Sequence, residues 1–160
     1  MSDFPTVEEK YTSAIHASNL RVEADKGGSA DVLIAVGWSP SRLGAALMRL
    51  HSEQDAAESL RSFAGVHEQL DVQASRWGMP VATTSAVLTY WLAPLCKACQ
   101  GRKFETVPDS PALSAKRCGC CRGEGVARIP CGDDGRKLLG YIEDCLSRAR
   151  DSIKARLRMR

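Results

Sequence analysis

Two Cys-x-x-Cys pairs constrain this chain more than any other feature: Cys96 with Cys99, and Cys118 with Cys121. Eighteen residues lie between the pairs, a spacing that fits a four-thiolate zinc site. A two-residue spacer places two thiolates along one edge of a tetrahedron, and a hairpin-like return brings the second pair to the opposite edge. Each pair is followed two residues on by a glycine, Gly101 and Gly123. At so tight a turn the backbone N–H groups point at sulfur and positive φ is needed, which glycine adopts without steric cost. Disulfide pairing or free buried thiols are the alternatives.

Compartment and redox state bear on that choice. The chain has seven cysteines, an odd number, and the start Met1-Ser2-Asp3-Phe4-Pro5 lacks the basic and apolar regions of a secretion signal. There is no 18-residue apolar run. A reducing cytoplasm is expected, which favours metal over disulfides. The second knuckle offers three thiols, Cys118, Cys120 and Cys121. Only Cys118 with Cys121 reproduces the two-residue spacer and sets Gly123 correctly. Cys120 and Cys131 remain alternative ligands, and Cys145 reads as a small buried apolar residue on the last helix.

No catalytic constellation accompanies the cysteines. His16, His51 and His67 are scattered in helical contexts, and none is near a cysteine in sequence. An open zinc site with a nitrogen ligand is therefore not expected. Lys26-Gly27-Gly28-Ser29 lacks the spacing of a phosphate-cradling loop. The zinc is expected to be structural, with no enzymatic activity.

Charge divides the chain at the same point. Residues 1–96 carry 7 Lys/Arg against 11 Asp/Glu, and residues 97–160 carry 15 against 8. A net of −4 thus gives way to +7 where the cysteine module begins. Basic segments of this kind attract phosphate backbones, although a solvated charged face is the plainer reading. The candidate DNA contacts are Lys103, Lys116, Arg117, Arg122, Arg128, Arg136 and Lys137. Cations held on a metal-anchored frame can make positioned contacts, whereas the Arg-rich C-terminus adds salt-dependent attraction.

The periodicity around the module is mainly helical. Thr6-Val7-Glu8-Glu9 is a capping box, opening a helix expected to reach Asn19 or Ala24. Val32–Trp38 reads as a short buried helix, with a buried strand as the alternative. Ser39 and Pro40 resemble an N-cap and a first helical residue. The helix they introduce carries Leu43, Ala46, Leu47 and Leu50 on one face, and Gly44, Ala45 and Ala46 suggest close packing. Gln54–Leu70 is expected to be helical with Ala57, Leu60, Ala64 and Val66 inward, ending near Asp71 or at Gly78-Met79-Pro80. Pro80 introduces a helix over 81–92 that buries Val87, Leu88, Trp91 and Leu92. Short extended segments are expected at 102–107, 112–117 and 126–129. After Gly132-Asp133-Asp134 comes a final helix with Leu138, Leu139, Ile142, Leu146, Ala149 and Ile153 as its apolar stripe. The expectation is a mainly α fold: an N-terminal helix or arm (1–28), a helical body (29–95), a zinc module with short β or irregular segments (96–130), and a basic C-terminal helix on the body (131–160).

Beyond these patterns, Cys-Lys-Ala-Cys-Gln-Gly at 96–101 and the second pair resemble the knuckles of DnaJ-type chaperones. A closer resemblance is to the late antitermination protein Q family of lambdoid phages. It rests on the 96–101 stretch, on Cys-Gly-Cys-Cys-Arg-Gly-Glu-Gly-Val-Ala-Arg-Ile-Pro at 118–130, and on the helical stretch from Asp31 through Leu43-Gly-Ala-Ala-Leu. It covers about residues 29–130, with Lys103 standing where a second glycine would be. The resemblance implies a transcription antitermination factor of the bacterial host cytoplasm, acting in phage late gene expression. Such a protein binds double-stranded late-promoter DNA, loads onto sigma-containing paused RNA polymerase, and narrows the RNA exit path so that pausing and termination are suppressed. Nascent RNA passing nearby and more than one copy per complex are also implied, with one structural zinc and no membrane partner. Open alternatives are a DNA-binding zinc regulator that does not travel with polymerase, and a DnaJ-like protein-binding module.

Overall fold

A computed structural model describes residues 6–15, 29–52, 56–107, 110 and 112–158. Among these residues the fold is mainly α, with a four-cysteine module carrying the one small sheet. The helices are α1 (Val7–Ile15), α2 (Ser29–Gly37), α3 (Arg42–Ser52), α4 (Ala56–Arg76), α5 (Ala82–Leu92) and α6 (Gly132–Arg158). The strands β1 (Phe104–Thr106) and β2 (Leu113–Arg117) lie between α5 and α6 in sequence. The chain forms two compact units: residues 1–72 with 140–160, and residues 73–139.

In the first unit, α1 is fixed by both halves of its capping box. The Glu9 N–H donates to Thr6 Oγ1 (3.2 Å), and the Thr6 N–H donates to the Glu9 carboxylate (2.7 Å). Val7, Tyr11 and Ala14 are buried at helical spacing, and α1 packs on α2 and α3. The continuation expected to Asn19 or Ala24 lies outside the described residues. Residues 32–37 are helical, burying Val32, Ala35 and Val36, and Trp38 lies in the turn that follows.

The cap of α3 differs from expectation. Its first residue is Arg42, and the Gly44 N–H donates to Ser41 Oγ (3.3 Å). Ser41 therefore caps the helix in place of Ser39, whose buried hydroxyl finds no partner among the described residues. The Ser41 hydroxyl also donates to the Cys145 carbonyl of α6 (3.1 Å), so one side chain ends α3 and ties it to α6. Gly44 explains why these helices meet: a Cβ there would lie 2.8 Å from that of Ala149 and overlap the Cys145 carbonyl. Around this meeting point Leu47, Met48, Ile142, Ala149 and Ile153 are buried.

Helix α4 does not stop near Asp71, and its inner face is rotated from the one expected. Leu60 is 72 % exposed, Ala57 and Ala64 are exposed, and the buried series is Val66, Leu70 and Ala74. Both faces carry apolar residues, and the face of Val66, Leu70 and Ala74 is the one that is buried. That end is a Schellman turn, with the Met79 N–H on the Ala74 carbonyl and the Gly78 N–H on the Ser75 carbonyl (both 3.0 Å).

The second unit holds α5 as well as the cysteine module. Residues 73–95 lie in the same compact unit as residues 96–139. Backbone bonds give the reason: the Ala127 N–H donates to the Pro94 carbonyl (2.8 Å), and the Cys96 N–H to Gly125 (2.9 Å). Helix α5 buries Val87 and Leu88 as expected, but also Thr83 and Thr84, while Leu92 is 38 % exposed. The segment 126–129 is irregular apart from an isolated bridge at Val126.

Replacing Gly44 by Ala should destabilise the protein by about 1–3 kcal/mol through overpacking against α6. Gly65→Ala, at an exposed helical position with open space around it, should stabilise by about 0.5–1 kcal/mol. Denaturant unfolding of the two variants measures the opposite signs.

Candidate metal centre

The sulfurs of Cys96, Cys99, Cys118 and Cys121 all lie within 4.8 Å of one another, and all four residues are buried. Two of the separations are 4.0 Å (Cys96 to Cys118) and 3.6 Å (Cys99 to Cys121). An ion bound tetrahedrally by four sulfurs at about 2.3 Å needs sulfur–sulfur edges of about 3.8 Å. A disulfide needs about 2.0 Å, and all seven cysteines are free thiols. The cluster thus has the spacing of a closed four-thiolate metal site. Cys120 and Cys131 are exposed and Cys145 is buried on α6; none of the three belongs to the cluster.

The two knuckles are copies of one backbone design offset by 22 residues. Adding that offset carries Cys96 and Cys99 onto Cys118 and Cys121, and it carries the surrounding hydrogen bonds with them. The Cys96 N–H donates to the Gly125 carbonyl, and the Cys118 N–H to the Lys103 carbonyl, each at 2.9 Å. The Arg102 and Glu124 N–H groups close equivalent turns on the Cys99 and Cys121 carbonyls. Leu95 bridges Val126 as Arg117 pairs with Phe104. Each knuckle therefore supplies one strand of the ladder that fastens the other, an approximate two-fold exchange about the sulfur cluster.

Positive φ recurs at matching positions: Gln100 and Arg122 (50° and 56°), Gly101 and Gly123 (83° and 86°), Lys103 and Gly125 (70° and 81°). Lys103 thus occupies the left-handed conformation that glycine takes in the other copy. It does so at some strain, since its N–H is one of the groups aimed at the Cys99 sulfur. In the second copy the Gly125 N–H donates to Cys121 Sγ (3.2 Å). A Cβ at Gly125 would sit 2.9 Å from the Gly101 carbonyl oxygen, so this copy has no room for a side chain. The repeat of Cys-x-x-Cys-x-Gly announced Gly101 and Gly123; Gln100 and Arg122 carry no such sequence signal.

These N–H groups polarise the sulfurs unequally. The Cys96 thiol is pulled down to about 6, first by the backbone N–H of Cys99, against the opposing effect of burial. Burial pushes the Cys99 thiol up to about 11, with its neighbours Cys121 and Cys96 adding to the rise. At Cys121 burial also acts upward, but the N–H groups of Gly125 and Gly123 and the adjacent thiols outweigh it, and the thiol lies below its ordinary value. Cys120 is raised, first by its hydrogen bond to Cys96 and then by repulsion from the Cys96 charge.

The cationic candidates all fall in the 73–139 unit and all are exposed. Lys116 pairs with Glu105 (3.1 Å) and Arg136 with Asp133. Lys137 lies over the Trp77 ring at 4.5 Å. The Arg117 stem lies against Gly123, where a Cβ would come within 3.1 Å of it. Arg122 projects from the second knuckle turn and Lys103 from just beyond the first; Arg128 follows the bridge at Val126. The unit carries ten Lys/Arg against five Asp/Glu, a net of +5. Among the described residues, no helix is long and apolar enough to cross a membrane.

Comparison of the chain with protein-family models, curated proteins and solved structures finds no match.

Metal analysis should give about one ion per chain. Cys121→Ser should lose it, and Cys120→Ser should keep it. Because Cys99 holds its proton at neutral pH, metal binding must displace it, so affinity rises with pH. On acidification protonation of Cys96 adds to the competition, and chelator competition should show affinity falling with pH throughout the range below about 11 and more steeply below about 6. A flat response across this range would contradict thiolate ligation.

Proposed function

We propose that the protein is a non-catalytic, zinc-stabilised DNA-binding transcription factor, acting as a late-gene antiterminator. Zinc is the ion of choice for four thiolates in closed tetrahedral geometry, with no position left for substrate or water. The observation that carries the DNA reading is the coincidence of charge and frame. All seven cationic candidates belong to the unit that contains the sulfur cluster, and that unit is basic in a chain whose remainder is acidic.

Rigid placement matters for this chemistry. Lys103, Arg117 and Arg122 have backbones fixed by knuckle turns or by ladder pairing next to a ligand cysteine. Phosphate contacts from such positions set orientation as well as affinity. Lys116 and Arg136 already have carboxylate neighbours, which a phosphate would have to displace, so they contribute less. The antitermination step rests on the resemblance of 96–101 and 118–130 to the protein Q family. In that reading the factor binds a late-promoter element, joins sigma-containing paused RNA polymerase, and carries it past terminators.

Exposure of Leu95, Val107 and Leu113 on the module (57 %, 38 % and 46 %) favours a second reading, a protein-binding knuckle module of DnaJ type. Salt separates the two. Duplex DNA affinity should fall steeply with salt, and Arg117→Ala with Arg122→Ala should make the log–log slope shallower by about one for each phosphate no longer neutralised. A flat salt response would favour protein binding. Transcription on a terminated template should show read-through that depends on the promoter element; DNA binding without read-through would leave a regulator that does not travel with polymerase.

A further inference from the structure

Away from the cysteine module, the 1–72/140–160 unit carries a groove of about 590 Å³ between α2 and the end of α6. One wall is Ile34, Ala35 and Trp38, and the other is Ala155, Arg156 and Leu157. Trp38 is 71 % exposed and Ile34 49 %, although α2 buries its Val32, Ala35 and Val36 face fully. The Trp38 side chain is therefore surplus to the core, and the Arg156 guanidinium lies 6.0 Å from its ring centre. A tryptophan and an arginine beside aliphatic walls form the usual composition of an interface anchor.

We propose that this groove docks an acidic, amphipathic helix of a partner protein. Its size suits a few apolar side chains projecting from one helical face. Charge selects the sign of the partner. The last three turns of α6 carry Arg148, Arg150, Lys154, Arg156 and Arg158 against Asp151 alone. Arg156 lines the groove beside Ser152 and Ala155, while Arg148, about two turns back, donates to the Asp144 carbonyl (3.2 Å). Among the described lining residues Asp31 is the single acidic one. A docked helix with apolar residues inward and carboxylates at its margin would place those carboxylates toward Arg156. A nucleic acid fits less well, because Ile34, Ala35, Ala155 and Leu157 of the lining offer it no polar contact.

This inference does not depend on the DNA reading or on zinc. Its test uses the full chain and a fluorescein-labelled peptide of about 20 residues, near 30 Å long as a helix, with Leu and Phe at i, i+3, i+4 and i+7 spacing and Glu elsewhere. Fluorescence anisotropy should show saturable binding. Trp38→Ser and Arg156→Glu should each weaken it about tenfold or more, with metal content and circular dichroism unchanged. A peptide with Lys in place of Glu should not bind the native chain but should gain affinity for Arg156→Glu. Equal affinity of Trp38→Ser, or equal binding of the Lys peptide, would overturn the proposal. So would binding of oligo(dT) that depends on Trp38 with no peptide binding, or a self-associated state that Trp38→Ser dissociates while peptide binding is unaffected.

Discussion

Four sulfurs held at the edge length of a metal tetrahedron are the constraint on which the second unit depends. Around them lie two tight turns, a three-residue strand, a five-residue strand and one bridge. The strands bury almost nothing, and the residues flanking the cysteines are largely exposed. A segment of this kind cannot balance its conformational entropy by apolar burial. Metal–thiolate bonding can, since apparent binding energies of structural zinc are on the order of 10 kcal/mol. The reciprocal ladder adds direction to that energy: each knuckle fastens the strand that carries the other pair, so ligation and strand pairing reinforce one another.

The offset of 22 residues also shapes the surface. Related positions share backbone geometry but not chemistry. Arg117 stands where the first copy has Leu95, Arg122 where it has Gln100, and Gly125 where it has Lys103. One scaffold thus presents an uncharged residue on one side and a cation on the other at two of these places, with the order reversed at the third. Symmetry fixes the frame, and the departures from symmetry set where its cations stand. Lys103 illustrates the tension: left-handed φ disfavours a side chain there, yet the position carries one that projects into solvent.

Legibility in the sequence followed the range of the forces involved. The cysteine spacing, the Thr6–Glu9 box and the α6 stripe are local patterns whose geometry is set within a turn or two, and the structure places them as the patterns require. The inner face of α4 depends on which of two apolar series meets a partner, and local periodicity does not rank Leu60 against Leu70. Ser39 and Ser41 are both sound caps by composition; the carbonyl of Cys145, 104 residues away, decides for Ser41. The grouping of α5 with the module likewise rests on backbone bonds from Pro94 and Cys96 to residues beyond the second knuckle. Trp38 is the plainest instance, because an aromatic at a helix end reads as core until its exposure is known.

The two units divide the chemistry as well as the chain. Cations of the 73–139 unit sit on the turns and ladder that surround the four-cysteine cluster, and such a frame would suit contacts whose position carries information. Those at the end of α6 lie on a helix beside an apolar groove, where charge selects a partner and burial supplies the affinity. Positive charge occurs in both places, and the discriminating element is the neighbour: backbone-anchored turns at the cysteines, Trp38 and Ile34 at the groove. A change at Trp38 should therefore leave the cysteine module intact, and a change at Arg122 should leave the groove intact, because the two residues belong to different units.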